Sequence, residues 1–136
     1  MSEFDCSQDK KKLDIKMIHK YLSERSYWAQ NRLLETVKIS IANSYCFGIY
    51  NSADEQVAFA RVVTDGAVFG WVMDVFVLEE YRGLGLGKRL MHEIVNHPVL
   101  SRLKRIGLGT DDAHGLYKQY GFTELRKPGN MMELVR

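Results

Sequence analysis

A single mixed α/β (α+β) domain is the fold class this sequence predicts, and three observations predict it. The chain has 136 residues, room for one core and not for two. Its middle holds three apolar runs rich in β-branched and aromatic residues, "YCFGIY", "EQVAFARVVTD" and "WVMDVFVL", with segments of helical period on both sides. The last run leads through three alternating glycines, Gly83, Gly85 and Gly87, into an amphipathic, positively charged segment. Strands gathered in this way with helices interspersed argue for one sheet in a layered arrangement spanning 1–136.

Taken in order, "EFDCS" is a short first strand. In "LDIKMIHKYLSERS", Leu13, Ile15, Ile18 and Leu22 recur mostly on one helical face. "SYWAQNR" interrupts with aromatic and polar residues before a second helix in "LLETVKISIANS". The turn "NSADE" joins the next two strands, and "TDGAVFG" turns the chain into the central strand "WVMDVFVL". A helix from about Gly85 to Asn96 stops near Pro98. "RIGLGT" reads as a short buried strand and "DAHGLYKQYG" as a short helix ended by Gly121. "FTELR" and "MMELVR", separated by the turn "KPGN", are expected to complete the sheet, with Met131 and Met132 packed on it.

Composition excludes several classes. A net charge of +2 is too small to argue for nucleic acid, and Lys10, Lys11 and Lys12 read as a solvated loop. No apolar run approaches the roughly 18 residues of a membrane span, and the N-terminus lacks the apolar stretch of a secretory signal. Cys6 and Cys46 match no metal-ligand spacing, and His19, His92, His97 and His114 form no metal-binding pair, so no metal is expected. Reduced thiols and a cytoplasmic location follow as expectations.

The glycines stand at a helix doorway, where unpaired N–H groups and the positive end of the macrodipole favour an anion. Glycine lets the backbone curl so that those groups converge, and Arg82, Lys88 and Arg89 add charge. A phosphorylated cofactor fits. A Walker loop does not, because Arg89 follows Lys88, and the third glycine arrives one residue early for a dinucleotide fingerprint. A turn that binds nothing is the competing reading.

The pattern Arg82-x-x-Gly85-x-Gly87, after "MDVFVL" and "EEY", resembles the [QR]-x-x-G-x-[GA] signature of the GNAT acetyltransferases. Downstream, Ala113, Leu116, Tyr117, Gly121 and Phe122 look like the family's A-x-x-L-Y-x-x-x-G-F segment. The resemblance is clearest from Trp71 to Phe122. It implies a mixed, mostly antiparallel sheet that splays open beside its central strand, with acetyl-CoA in the split. Phe76 and Leu78 would then pair main-chain groups with the pantetheine arm. The N–H of Val77 or a neighbour would bind the acetyl oxygen. Arg82, Gly83, Leu84, Gly85, Leu86, Gly87 and Lys88 would cradle the pyrophosphate.

Acetyl transfer to an amine needs a route for the amine's proton, a donor to the developing oxyanion and a proton for the departing thiolate. Tyr117 matches the family's tyrosine that protonates the thiolate; an aromatic core residue is its alternative. Asp74, inside an apolar strand, is either the base or a structural carboxylate paired with a donor or cation. Glu79, Glu80 and His114 are weaker candidates, better read as solvated or packing groups, and Asp111 and Asp112 as helix caps. Thr110 stands where the family often has an asparagine touching the cofactor. Tyr27, Trp28 and Arg32, with Phe69 and Trp71, are the expected acceptor walls. The function implied is an acetyl-CoA-dependent N-acetyltransferase acting on a small-molecule amine by direct transfer, since neither cysteine has a base partner. A homodimer is the partner arrangement common among such proteins. The alternative is a non-catalytic acyl-CoA-binding or regulatory domain on the same fold.

Overall fold

A computed structural model of the chain describes residues 3–136. Nine elements position the site: β1 (Asp5–Ser7), α1 (Ile15–Arg25), α2 (Leu34–Ala42), β2 (Tyr45–Tyr50), β3 (Gln56–Thr64), β4 (Phe69–Val77), α3 (Leu86–Val95), β5 (Arg105–Gly107) and α4 (His114–Lys118). The five strands form one sheet in the order β1-β2-β3-β4-β5, antiparallel throughout except that β4 and β5 run parallel.

Each helix lays an apolar stripe on the sheet. Asp14 caps α1 by accepting the N–H of Met17 at 3.1 Å, and Ile18 and Leu22, one turn apart, are buried beneath it. With α2 they cover one face of the sheet, where Val37, Ile41, Cys46, Phe59 and Phe76 join them. The other face carries α3, whose Leu86, Leu90, Met91 and Ile94 sit on Phe47, Ala60, Val62 and Val72. Each such side chain contributes about 1.5–3 kcal/mol by leaving water. The Lys10–Lys12 stretch is a single exposed 3₁₀ turn capped by Asp9, and Lys12 lies over the Tyr50 ring at 4.4 Å.

Two features differ from the sequence expectation. A β-bulge interrupts the β3–β4 ladder between Phe59 and Arg61, and opposite it Asp74 adopts a left-handed φ of 55°. The bulge resets the alternation. Val72 packs on the α3 side, yet Phe76, an even number of residues later, packs on the α1–α2 side. The second difference is at the C-terminus, where neither "FTELR" nor "MMELVR" is a strand. Residues 123–136 hold only a 3₁₀ turn at Pro128–Asn130, and Met132 is 95% exposed, so it does not pack on the sheet. A strand exists only against a partner, and β5 offers an edge just three residues long.

Candidate active site

The sheet opens where β4 leaves β5. Their register runs from Phe69↔Arg105 to Trp71↔Gly107 and goes no further, although β4 continues to Val77. Trp71 closes the bottom of the fork: a Cβ on Gly107 would lie 2.4 Å from its ring, so no residue but glycine fits there. Trp71, stacked on Phe69 at 6.2 Å, is therefore held at the strand junction.

Main-chain direction decides which groups face the opening. The Leu78 N–H donates to Val57 O at 2.9 Å, and Phe76 is opposite Phe59 in the same ladder, so both turn toward β3. The expected pairing of Phe76 and Leu78 with a ligand is thereby corrected, because that side of the strand is already engaged. Alternation leaves Val75 and Val77 facing the bare edge. Arg82 reaches the same edge, its Nε donating to Val77 O at 3.3 Å while Nη2 donates to the Tyr21 hydroxyl at 2.8 Å. The Phe76 ring lies on the opposite face, stacked on Tyr21 at 4.1 Å.

Beyond β4 the chain makes one 3₁₀ turn at Glu79–Tyr81 and enters the glycine loop. Gly83 and Gly85 have φ of 81° and 79°, in the left-handed region that side chains resist. Gly85 is the N-cap of α3, and no side chain among the described residues caps that end. Among the described residues, the backbone N–H groups of Gly83 to Lys88 donate to no acceptor. Leu86 is anchored in the core, Leu84 is exposed, and Gly87 keeps α3 close to Leu116. Arg89 bonds Glu93 and Phe4 O, whereas Lys88 is exposed and forms no ion pair among the described residues. Six free N–H groups and one free ammonium at a helix N-terminus suit a pyrophosphate.

Tyr117 lies on α4, whose N-cap is Ala113; just before the helix the Thr110 hydroxyl accepts the Ala113 N–H at 3.1 Å. Among the described residues no side chain caps α4, so the caps expected of Asp111 and Asp112 are not made. The Tyr117 ring is 8% exposed and meets Phe122 edge-on at 6.0 Å. Its hydroxyl bonds no described residue, yet it is not sealed from accessible space. Burial, with the neighbouring Tyr27 and Asp112, raises its pKa above the ordinary 10, so the proton stays on at neutral pH. Tyr27 is held there by its hydroxyl, which accepts the Asp111 N–H at 3.1 Å. His114 is exposed.

Asp74 anchors the acceptor side. Its side chain is 1% exposed and accepts three donors: the Trp28 indole N–H at 2.8 Å on Oδ1, and Arg32 Nη1 at 2.8 Å and Arg61 Nε at 2.7 Å on Oδ2. Arg61 also donates to Ser44 Oγ at 3.1 Å. The loop between α1 and α2 is thus tied to the bulge. Sequence reasoning brought Trp28 and Arg32 to this region but missed Arg61. Glu79 pairs with Arg25 at 3.0 Å and takes no part. A concavity of about 490 Å³ lies at the start of β2, lined by Lys10, Ser44 and Cys46, and holds none of the fork residues.

Residues 42–124 match the acetyltransferase (GNAT) domain. The chain belongs to the GNAT acetyltransferase family. A GNAT-family protein from Xanthomonas campestris pv. campestris is 45% identical, with a TM-score of 0.96 over 100% of this chain and 95% of that one. A Gibberella zeae protein bearing the name acetyltransferase (FG08082) is 30% identical across 92% of this chain and 82% of its own. The N-acetyltransferase ycf52 of Pyropia yezoensis is 30% identical over 67% of this chain and 55% of its own. Acyl transfer is the chemistry these GNAT relatives point to. No helix among the described residues is long and apolar enough to cross a membrane.

Proposed function

We propose that this GNAT domain is an acetyl-CoA-dependent N-acetyltransferase that acts on a small-molecule primary amine by direct transfer in a ternary complex. One observation carries the reading. The main-chain edge at Val75 and Val77, which no strand covers, precedes the N–H groups of Gly83 to Lys88, free among the described residues, with the unbonded Tyr117 hydroxyl on the flanking helix. These groups fit acetyl-CoA, which when bound supplies the acetyl group as an activated thioester. Val75 and Val77 hold the pantetheine arm by main-chain hydrogen bonds, and one of their N–H groups stabilises charge on the acetyl oxygen. The loop and Lys88 take the pyrophosphate. Tyr117 gives its proton to the departing sulfur and regains one from water.

Asp74 has both oxygens occupied by donors, two of them cationic, so it is assigned a structural role. The amine then reacts in its neutral form and loses its proton to solvent. That same occupancy favours the alternative, an acyl-CoA-binding domain without catalysis, because it removes the obvious base. Calorimetric titration with acetyl-CoA, against desulfo-CoA and ADP, followed by thiol release on an amine panel, separates the two. Binding that requires the pantetheine arm, with thiol release, supports the enzyme; binding without transfer supports the alternative. Exposed Met131, Met132, Leu134 and Val135 are surface that a second copy would cover in a homodimer, which sedimentation tests.

A further inference from the structure

The cluster around Asp74 does not balance. Two guanidiniums converge on one carboxylate, and no other described carboxylate pairs with either. Arg61 and Arg32 are 8% and 18% exposed, so a surplus positive charge sits in partly desolvated surroundings. The Cys46 thiol nearby is no counter-charge, since burial pushes its pKa up to about 11. Moreover, both guanidiniums keep free N–H groups. Arg32 uses only Nη1 and Arg61 only Nε and Nη1 in hydrogen bonds among the described residues. Tyr50 Oη alone is a fully buried side-chain atom without a partner among those residues, so these free groups are not fully buried. A buried cation with an open donor edge calls for an anion.

Its position says which molecule brings the anion. Asp74, which holds the arginine pair, directly precedes Val75, whose main chain faces the fork. Tyr27 and Trp28, edge-to-face at 5.0 Å, stand on the same loop as Arg32. We infer that the acceptor is an amino carboxylate, an amine whose own carboxylate docks on the free guanidinium edge of Arg32 and so aims its amino group at Val75 and Val77. The inference rests on the acetyltransferase reading above and names its substrate class. Charge supports it twice. A plain ammonium is repelled by the surplus positive charge, whereas an amino carboxylate brings the missing negative one. Once that carboxylate is docked the cluster carries no surplus charge, so the amine reaches Val75 and Val77 without the repulsion a plain ammonium meets.

The test uses the intact chain with acetyl-CoA, reading thiol release on matched pairs: glycine and glycinamide, β-alanine and β-alaninamide, with phosphoethanolamine as a phosphate-bearing amine. Calorimetry with acetyl-CoA alone runs beside it. The carboxylate of a pair should exceed its amide by about tenfold or more in kcat/KM, the scale of a charge-assisted contact. Arg32→Gln should bring that ratio near one, and Arg32→Lys, which keeps the charge if the glutamine variant fails to fold, should retain part of it. Both variants should bind acetyl-CoA as the parent does. Equal rates for acid and amide, transfer to phosphoethanolamine alone, or an undiminished ratio in folded Arg32→Gln overturns the inference. So does failure of every amine while acetyl-CoA binds, whereas failure of acetyl-CoA itself to bind removes the enzyme reading first.

Discussion

Replacing Asp74 with alanine tests whether that carboxylate holds the site together or performs chemistry. The side chain is 1% exposed and accepts three hydrogen bonds of 2.7–2.8 Å, two from guanidiniums that have no other carboxylate partner among the described residues. Removing one member of a buried ion pair costs about 3–5 kcal/mol, because the remaining charge stays desolvated. Arg32, being 18% exposed, recovers some hydration, so the lower half of that range is expected. The backbone adds strain, since residue 74 sits at φ 55°, where aspartate and asparagine are tolerated better than alanine. Asp74→Gly relieves that strain without restoring the charge, and the pair of variants separates the two contributions. At roughly 3–5 °C per kcal/mol for a chain of this size, Asp74→Ala should melt about 10–15 °C below the parent. Urea denaturation followed by circular dichroism gives the free energy directly. A loss below about 1 kcal/mol with acetyl transfer abolished would refute the structural assignment and return Asp74 to the role of base.

Three further outcomes follow from the same geometry. Tyr117→Phe should lower kcat by about 10²–10⁴-fold and leave acetyl-CoA affinity nearly intact in calorimetry, and in the parent activity should persist until the pH exceeds 10, because burial holds the phenol protonated. Gly85→Val should weaken acetyl-CoA binding and cost about 1–2 kcal/mol of stability by forcing a side chain into φ 79°; an undiminished affinity would contradict the loop assignment. Burial pushes Cys46 from 9.0 to about 11, so the folded chain holds that proton more tightly than the unfolded one. The stabilisation is complete below pH 9 and is lost as pH rises toward 11, and Cys46→Ala should flatten the fall of melting temperature across that window. Alkylation of the native thiol at pH 8 should be about 100-fold slower than of the unfolded chain.

The legible parts of this fold were those that local chemistry alone determines. The runs "YCFGIY" and "WVMDVFVL" could be little else but strands, and Gly83 and Gly85 announced a backbone turn that the left-handed φ values display. The spacing from Arg82 to Gly87 and from Ala113 to Phe122 led to the family. Illegible were properties belonging to pairs of distant segments. "MMELVR" has the composition of a strand, but strand formation depends on an edge that the short β5 does not offer. Which side of β4 is bare depends on its register with β3 and on where β5 departs, neither of which the sequence of β4 displays, so Phe76 and Leu78 read as well as Val75 does.

The arginine pairing of Asp74 lies between these extremes, and its signal was present. Arg61 is the lone charge inside "QVAFARVVT", and Asp74 the lone charge inside "WVMDVFV". The two lie thirteen residues apart around the single turn "TDGAVFG", so an antiparallel hairpin brings them nearly opposite. Simple alternation would have offset them by one residue, and a bulge is the device that corrects such an offset. The left-handed aspartate supplies it, at a residue type that accepts that conformation. One local distortion therefore has two effects: it turns the Asp74 carboxylate toward Arg61, Arg32 and Trp28, and it shifts the alternation of β4 just below the bare edge at Val75 and Val77. A buried ion pair that contributes little net stability is thereby explained as the element that keeps the strand bulged at the place where the fork opens.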